Sequence, residues 1–305
     1  MSALDIGRAL LIVLIWGMNF VAIKIGLQHI PPFALGALRF AAVALPAVFF
    51  IARPNVPWRW LFAYALCISF GQFAFLFMGM RLGMPAGLAS LVLQVAAPFT
   101  LIFSAYFFKE SVKTHQIIGM LISAMGLLCL ASYSLAQRAP NQSEVSWVGF
   151  TLTVCAGASW ALGNIAGKRI AHSSPVPLLN LVIWGALMVI PFFTLSALWF
   201  EGLDVFARAA EQLAWQDVAA IAYIAYLATI VGYVLWGGLL ARYPASWIAP
   251  ITLMVPPIGL TAGFIVLHEH LMGGQIIGIV VIMTGLLFNV WGQHVLKALE
   301  RFQRP

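Results

Sequence analysis

Long apolar runs recur along the chain, each close to twenty residues and separated from the next by a short polar break. A run of about 20 apolar residues is what a helix needs to cross the hydrocarbon core of a bilayer. Ten spans are predicted on this basis, at 9–27, 33–51, 60–80, 85–108, 116–135, 147–168, 178–199, 217–240, 246–267 and 275–295. The breaks carry turn residues: Pro31-Pro32, Arg53-Pro54, Gly83, Ala139-Pro140-Asn141, Pro175 with Pro177, and Gly273-Gly274. The longest connection, 200–216, is acidic and is expected to be part helix. The pattern predicts an all-α membrane protein of ten transmembrane helices.

The pattern also occurs twice. Residues 85–128 align with 244–287 at a constant offset of 159, matching Pro85/Pro244, Ala86/Ala245, Pro98/Pro257 and Glu110/Glu269. The same register matches QIIG at 116–119 and 275–278, then GLL at 126–128 and 285–287. Near the start the offset is 144, where Trp16, Ala22 and Lys24 meet Trp160, Ala166 and Lys168; an insertion around 200–214 accounts for the difference. The chain therefore reads as an internal duplication, with repeats at 1–136 and 147–297. Five spans per half is an odd number, so the second copy enters the membrane the other way up. Two inverted five-helix repeats, related by a pseudo-two-fold axis in the membrane plane, are a common plan of secondary transporters, with the substrate near the midplane between the halves.

Composition agrees. The chain is 63% hydrophobic and 8% charged, against roughly 25% charged in a soluble domain, so its solvent is mostly lipid. The 26 glycines and 16 prolines are tolerable in membrane helices, where neighbouring segments satisfy freed backbone groups. The net charge of +7 does not point to nucleic acid, because the basic residues gather in one set of loops. With the N-terminus inside, 11 of the 16 Lys and Arg residues fall on the cytoplasmic side. The opposite side keeps Lys24, Arg39, Arg81, Arg138 and Arg208, and six of the nine acids, among them Glu144, Glu201 and Glu269. Both termini are expected in the cytoplasm. The N-terminus lacks the charged region and cleavage site of a signal peptide, so the first apolar run is expected to stay. Cys67, Cys129 and Cys155 each fall inside an apolar run without metal-ligand spacing, as small hydrophobes of helix interfaces do.

A polar side chain at bilayer depth is costly and is a candidate for function by default. No Asp or Glu falls mid-span; Glu110 and Glu269 lie at helix ends, where interfacial ion pairs form. That speaks against a buried-carboxylate proton relay. What remains at depth is amide and aromatic. Trp16 and Asn19 share a face of the first helix, Trp160 and Asn164 a face of the sixth, and Gln72 and Gln94 fall mid-span in the third and fourth. Uncharged amides can donate to a carboxylate and accept from an ammonium without burying a fixed charge, while tryptophan supplies apolar cover and cation–π attraction. The competing role for each amide is to join helices, worth about 0.5–2 kcal/mol.

Arg39, six residues into the second span, is expected to face a water-filled cavity and attract carboxylates. Trp184 stands at the corresponding place in the second half, and Tyr223, Tyr226 and Trp236 are further aromatic candidates. Lys24 and Lys168 lie near span ends and suit snorkelling to the surface. Pro98 and the pair Pro256-Pro257 fall inside the fourth and ninth spans, where a missing backbone bond makes a candidate hinge or a static bend. The glycines Gly119/Gly126 and Gly278/Gly285 predict close packing of the fifth and tenth helices, or a dimer contact.

The segments WGMNFVAIKIG (16–26) and ALRF (37–40), the helix end at Glu110, the QIIG…GLL span and their second copies resemble the EamA-type proteins of the drug/metabolite transporter superfamily. The resemblance covers essentially the whole chain. FGQFAFLF (70–77) with MPAGLASLVLQ (84–94) is similar to the bacterial branch that exports amino acids and relatives such as cysteine and O-acetylserine. It implies a ten-helix bundle in the bacterial inner membrane, lined from both halves, that exports amino-acid-like metabolites as a monomer or homodimer, without cofactor or metal. The pattern departs at His268, where the first copy has Lys109, and at Trp160–Asn164, spaced one residue wider than Trp16–Asn19. A membrane enzyme is disfavoured by the lack of HExxH, GxSxG and P-loop motifs. A channel, or a translocator for another small metabolite or lipid, is the alternative function.

Overall fold

The computed structural model describes residues 1–136, 145–173 and 176–302. Ala139, Pro140, Asn141 and Pro175, with Arg138, Glu144 and Arg304, lie outside the described residues, as do the side chains of Lys297 and Arg301. Among the described residues the ordered elements are all helices. They are α1 (Ala3–Gly26), α2 (Pro32–Ala47), α3 (Trp58–Arg81), α4 (Ala86–Phe108), α5 (Thr114–Ala136), α6 (Trp147–Ser173), α7 (Leu178–Phe200), α8 (Trp215–Leu240), α9 (Ala249–Leu267, led in by a turn over Ala245–Ile248) and α10 (Gly273–Phe302). Nine of these are long and apolar enough to cross a membrane, and α2 is a shorter apolar helix. It ends before its apolar run does, because the chain passes into a turn at residues 48–50 soon after Pro46. The acidic connection folds in part as the helix Val205–Glu211.

Proline sets several of the starts: Pro31 and Pro32 at α2, Pro57 at α3, Pro85 at α4 and Pro177 at α7. In a first turn its missing N–H has no intrahelical partner to lose, and its fixed φ directs the chain into the helix. At α1 the cap is Ser2, whose Oγ accepts from the Asp5 amide at 3.2 Å. The helix thus begins six residues before the predicted span.

The halves pack on each other. Helix α2 runs along α7, α4 along α9 and α5 along α10; α3 lies on α6 and α1 on α8; α1 also crosses α9, and α4 crosses α6. Exchanging the halves converts each of these contacts into another of the same set, which is what a pseudo-two-fold axis requires. The α5–α10 crossing brings backbones together, as the glycine spacing predicted. A methyl group added at Gly119 would stand 2.6 Å from the Asn289 amide nitrogen, and one at Gly126 2.6 Å from that of Ile282.

Four helices are irregular, in matched pairs. Helix α3 is π-helical over Ala65–Gly71, and α8 over Tyr223–Val231, which overlap at the offset of 159. Helices α4 and α9 narrow to 3-10 geometry at Leu93–Val95 and Ala249–Met254. The prolines expected to break these two helices instead sit in the first turn of the α-helix that follows, Pro98 in Ala96–Phe108 and Pro256 and Pro257 in Val255–Leu267. The irregularity lies upstream, because a first turn tolerates the absent N–H while the 3-10 turns before it re-pair the carbonyls.

Candidate substrate cavity

The irregular segments surround a cavity halfway along the bundle. It encloses about 660 Å³ including its mouth, and residues of both halves line it.

Arg39 reaches it from α2 with 3% of its surface exposed. Its Nη2 donates to Thr229 Oγ1 at 3.0 Å, and the guanidinium carbon lies 3.8 Å from the Phe73 ring centroid. Thr229 can accept because its own hydroxyl donates five residues back to the Ile224 carbonyl, a bond the π-helical turn makes possible. The remaining Arg39 donors, Nε and Nη1, have no partner among the described residues, and none of the ion pairs there includes Arg39. Asn19 on α1 is likewise buried in the cavity wall, and its Oδ1 accepts nothing among the described residues. A buried cation without a counter-charge beside a buried acceptor without a donor is an expensive arrangement in a protein alone.

The other walls are amide and aromatic. The Trp16 indole Nε1 donates to the Ala228 carbonyl at 3.0 Å, and its ring meets Tyr233 and Trp236 at centroid distances of 5.8 and 5.3 Å. Gln72, at the end of the α3 π segment, is buried in the wall. The Gln94 Nε2 donates to the Thr252 carbonyl at 3.1 Å, four residues before Pro256, whose ring nitrogen has no hydrogen to offer it. Trp160 closes another side.

Among the sequence candidates, the cavity therefore gathers Trp16, Asn19, Arg39, Gln72, Gln94 and Trp160. Two candidates stand elsewhere. The Trp184 Nε1 donates to the Ile51 carbonyl at 3.0 Å, beyond the end of α2, which holds the indole at one end of the bundle. The Asn164 Nδ2 donates to Thr100 Oγ1 at 3.2 Å and joins α6 to α4. It is absent from the cavity lining. Tyr223 donates to the Ile15 carbonyl, and Tyr226 is exposed. The lining also includes Ser90, Tyr233 and Thr252, which the sequence reading passed over. A lone serine within an apolar run was the one available signal, at Ser90.

The sequence profile of the EamA-like transporter family matches residues 6–132 and 147–291. The chain belongs to this family. A "Probable amino-acid metabolite efflux pump" of Salmonella typhimurium is 46% identical over 97% of this chain and 97% of its own length. The Escherichia coli K12 protein of the same description is 45% identical over 98% and 99%. A "Probable terminal-alkyne amino-acid exporter" of Streptantibioticus cattleyicolor is 26% identical over 85% and 84%. A solved structure titled only "Crystal structure of protein" shares the fold, with a TM-score of 0.64 at 18% identity, covering 98% of this chain and all of that one.

In this EamA-like transporter the two ends of the cavity differ. At the end where α4 begins, every residue from Ala86 to Leu93 is buried. Two carboxylates accept backbone amides at that end. Glu201 accepts from the Phe33 and Ala34 amides at 2.7 and 3.0 Å, and Glu269 from the Ala86 and Gly87 amides at 2.6 and 2.9 Å. Burial pushes the Glu201 carboxyl above the usual carboxylate range against the pull of those amides. At the opposite end, Asp5 accepts from Arg8, Arg242 and Tyr243 at 2.7, 2.8 and 2.9 Å and ties α1 to the α8–α9 turn. Glu110, at that end, pairs with Lys168. Among the described residues no three His, Cys, Asp or Glu side chains gather as metal ligands.

Proposed function

We propose that this EamA-like transporter exports amino acids or amino-acid-like metabolites across the bacterial inner membrane by alternating access, as a facilitator. The two repeats, 1–136 and 147–297, rock about the cavity between them, with both termini in the cytoplasm. The observation that carries the substrate class is the pair of unmet groups in the cavity, the Arg39 donors and Asn19 Oδ1. A zwitterion completes both. Its carboxylate takes the Arg39 donors, its ammonium donates to Asn19, and the aromatic wall of Trp16, Trp160 and Tyr233 covers its side chain. Gln72 and Gln94 add neutral donors and acceptors. The names of the relatives at 46% and 45% identity support the same class. The kink-bearing α4 and α9, with Pro98, Pro256 and Pro257, are the hinges in this reading. In this reading the end where α4 begins is the closed, outer one, and the Glu110–Lys168 end is the cytoplasmic one through which substrate enters.

Counterflow of labelled amino acids in proteoliposomes, with and without a pH gradient, tests the function. Saturable flux that ignores the gradient supports a facilitator; flux driven by the gradient overturns that part and returns Glu110 and Glu269 as proton carriers. Flux far above carrier rates identifies a channel. Failure of every amino acid to exchange refutes the substrate class.

A further inference from the structure

Glu110 and Glu269 are equivalent in sequence and unequal in structure. Each follows a residue in the left-handed backbone region, Lys109 at φ 57° and His268 at φ 54°. Glu269 turns onto the start of α4, where both its oxygens accept backbone amides. Its seat is cut to size by glycine, since a methyl added at Gly263 would stand 2.5 Å from Glu269 Oε2. Lys24 lies within electrostatic reach of Glu269, yet its ammonium donates to the Met80 carbonyl at 2.8 Å, and to that of Met84 at 3.5 Å.

At the other end the partners are exchanged. The equivalent of Lys24 is Lys168, and it holds Glu110 through both oxygens, at 2.6 and 2.7 Å. Half of the Glu110 side chain is exposed. The start of α4 is buried throughout, whereas over the corresponding residues 247–252 only Ile248 is buried. Closed end, carboxylate on amides and lysine on carbonyls; open end, carboxylate on lysine.

We infer that these are the two positions of one gate, used in alternation. The inference rests on the alternating-access reading above. In the opposite state Glu110 leaves Lys168 and seats on the amides of 245–246, and Lys168 donates to the Leu239 and Tyr243 carbonyls, the equivalents of Met80 and Met84. Glu269 leaves Ala86 and Gly87 and pairs with Lys24. The exchange conserves the kinds of bond made, amides and carbonyls at one end against an ion pair at the other. The two seats are not identical, since Ser104 and Ser246 stand where Gly263 and Gly87 do, so the two states differ in free energy and substrate shifts their populations by differential binding. Glu110 and Glu269 are thus positioning residues for the transport cycle and touch no substrate.

The test uses full-length protein in membranes with Cys67, Cys129 and Cys155 replaced by serine and Ala89→Cys as reporter. Ala89 lies fully buried just beneath the Glu269 seat. A membrane-impermeant thiol reagent is added from the side where α4 begins. Glu269→Gln is expected to raise the labelling rate about tenfold or more, the effect of one charge-assisted bond, and Glu110→Gln to lower it. Gly263→Ala, which displaces the carboxylate while leaving its charge, is expected to act as Glu269→Gln does and replaces it if that variant fails to reach the membrane. Unchanged labelling in both Glu269→Gln and Gly263→Ala overturns the gate. Labelling that a transported amino acid changes in the parent but that these variants leave alone refutes the gate and keeps alternating access. Labelling that substrate never changes refutes alternating access itself.

Discussion

Replacing Arg39 with methionine separates the cost of its charge from its use. The side chain is 3% exposed and makes one neutral hydrogen bond, to Thr229, and one close ring contact, to Phe73. A desolvated cation–π contact is worth about 2 kcal/mol, while taking the ion out of water costs several kcal/mol even after relaxation. The protein alone does not recover that difference, so a methionine of similar length is expected to leave thermal stability unchanged or raised. Binding behaves oppositely. Losing one partner of a buried, hydrogen-bonded charge pair costs about 2–5 kcal/mol, and at 1.4 kcal/mol per decade the Kd for a zwitterionic substrate is expected to rise by roughly 30- to 4,000-fold. Arg39→Lys keeps the charge and loses the planar fork, and falls between the two. Detergent-purified variants are compared by thermal melting and by equilibrium binding of labelled amino acid. An Arg39→Met variant that melts well below the parent while its Kd is unchanged refutes the argument and makes the arginine structural.

Further outcomes are expected. Asn19→Leu removes the unpaired acceptor and is expected to weaken binding of amino acids by about 1–3 kcal/mol, the cost of a partner lost from a buried polar group, while deaminated analogues lose nothing; equal losses for both classes in the binding assay disprove the ammonium contact. Gly126→Val drives a side chain into the Ile282 backbone, and overpacking of about 1–3 kcal/mol lowers the melting temperature, whereas Gly7→Ala, with nothing within 4 Å of its new methyl, is neutral or stabilising. Pro98→Ala and Pro257→Ala are expected to cut counterflow without reducing expression; full activity in both removes the hinge role.

The helices were legible because lipid imposes one rule on every segment, an apolar run long enough to satisfy its own backbone. Boundaries departed from that rule at α1, where the Ser2 cap and the ion-paired Asp5 carry the helix past the apolar run, at α2, which turns soon after Pro46, and at α10, which continues to Phe302. The duplication was legible residue by residue and placed Glu110 opposite Glu269. What the sequence hid depends on tertiary partners. Nothing in the composition of Ala65–Gly71 or Tyr223–Val231 signals a π-helical turn, because the switch from i→i+4 to i→i+5 bonding is decided by what packs alongside. Asn19 and Asn164 were alike on paper, yet one amide ends with an empty acceptor and the other on Thr100. Trp184 answers to a carbonyl from the end of another helix, which no periodicity within α7 can announce.

Three of the crossings, α2 on α7, α4 on α9 and α5 on α10, are meetings of a helix with its own counterpart. A five-helix half that inserted in both orientations would make these same contacts with a second copy of itself, so an antiparallel homodimer already contains the frame of the present molecule. Fusion of two genes adds a tether and frees the copies to drift apart. Around the cavity the copies differ: the counterpart of Arg39 is Trp184, and Gln72 and Gln94 correspond to Val231 and Leu253. The frame kept its symmetry, and the site gained its polarity by losing it.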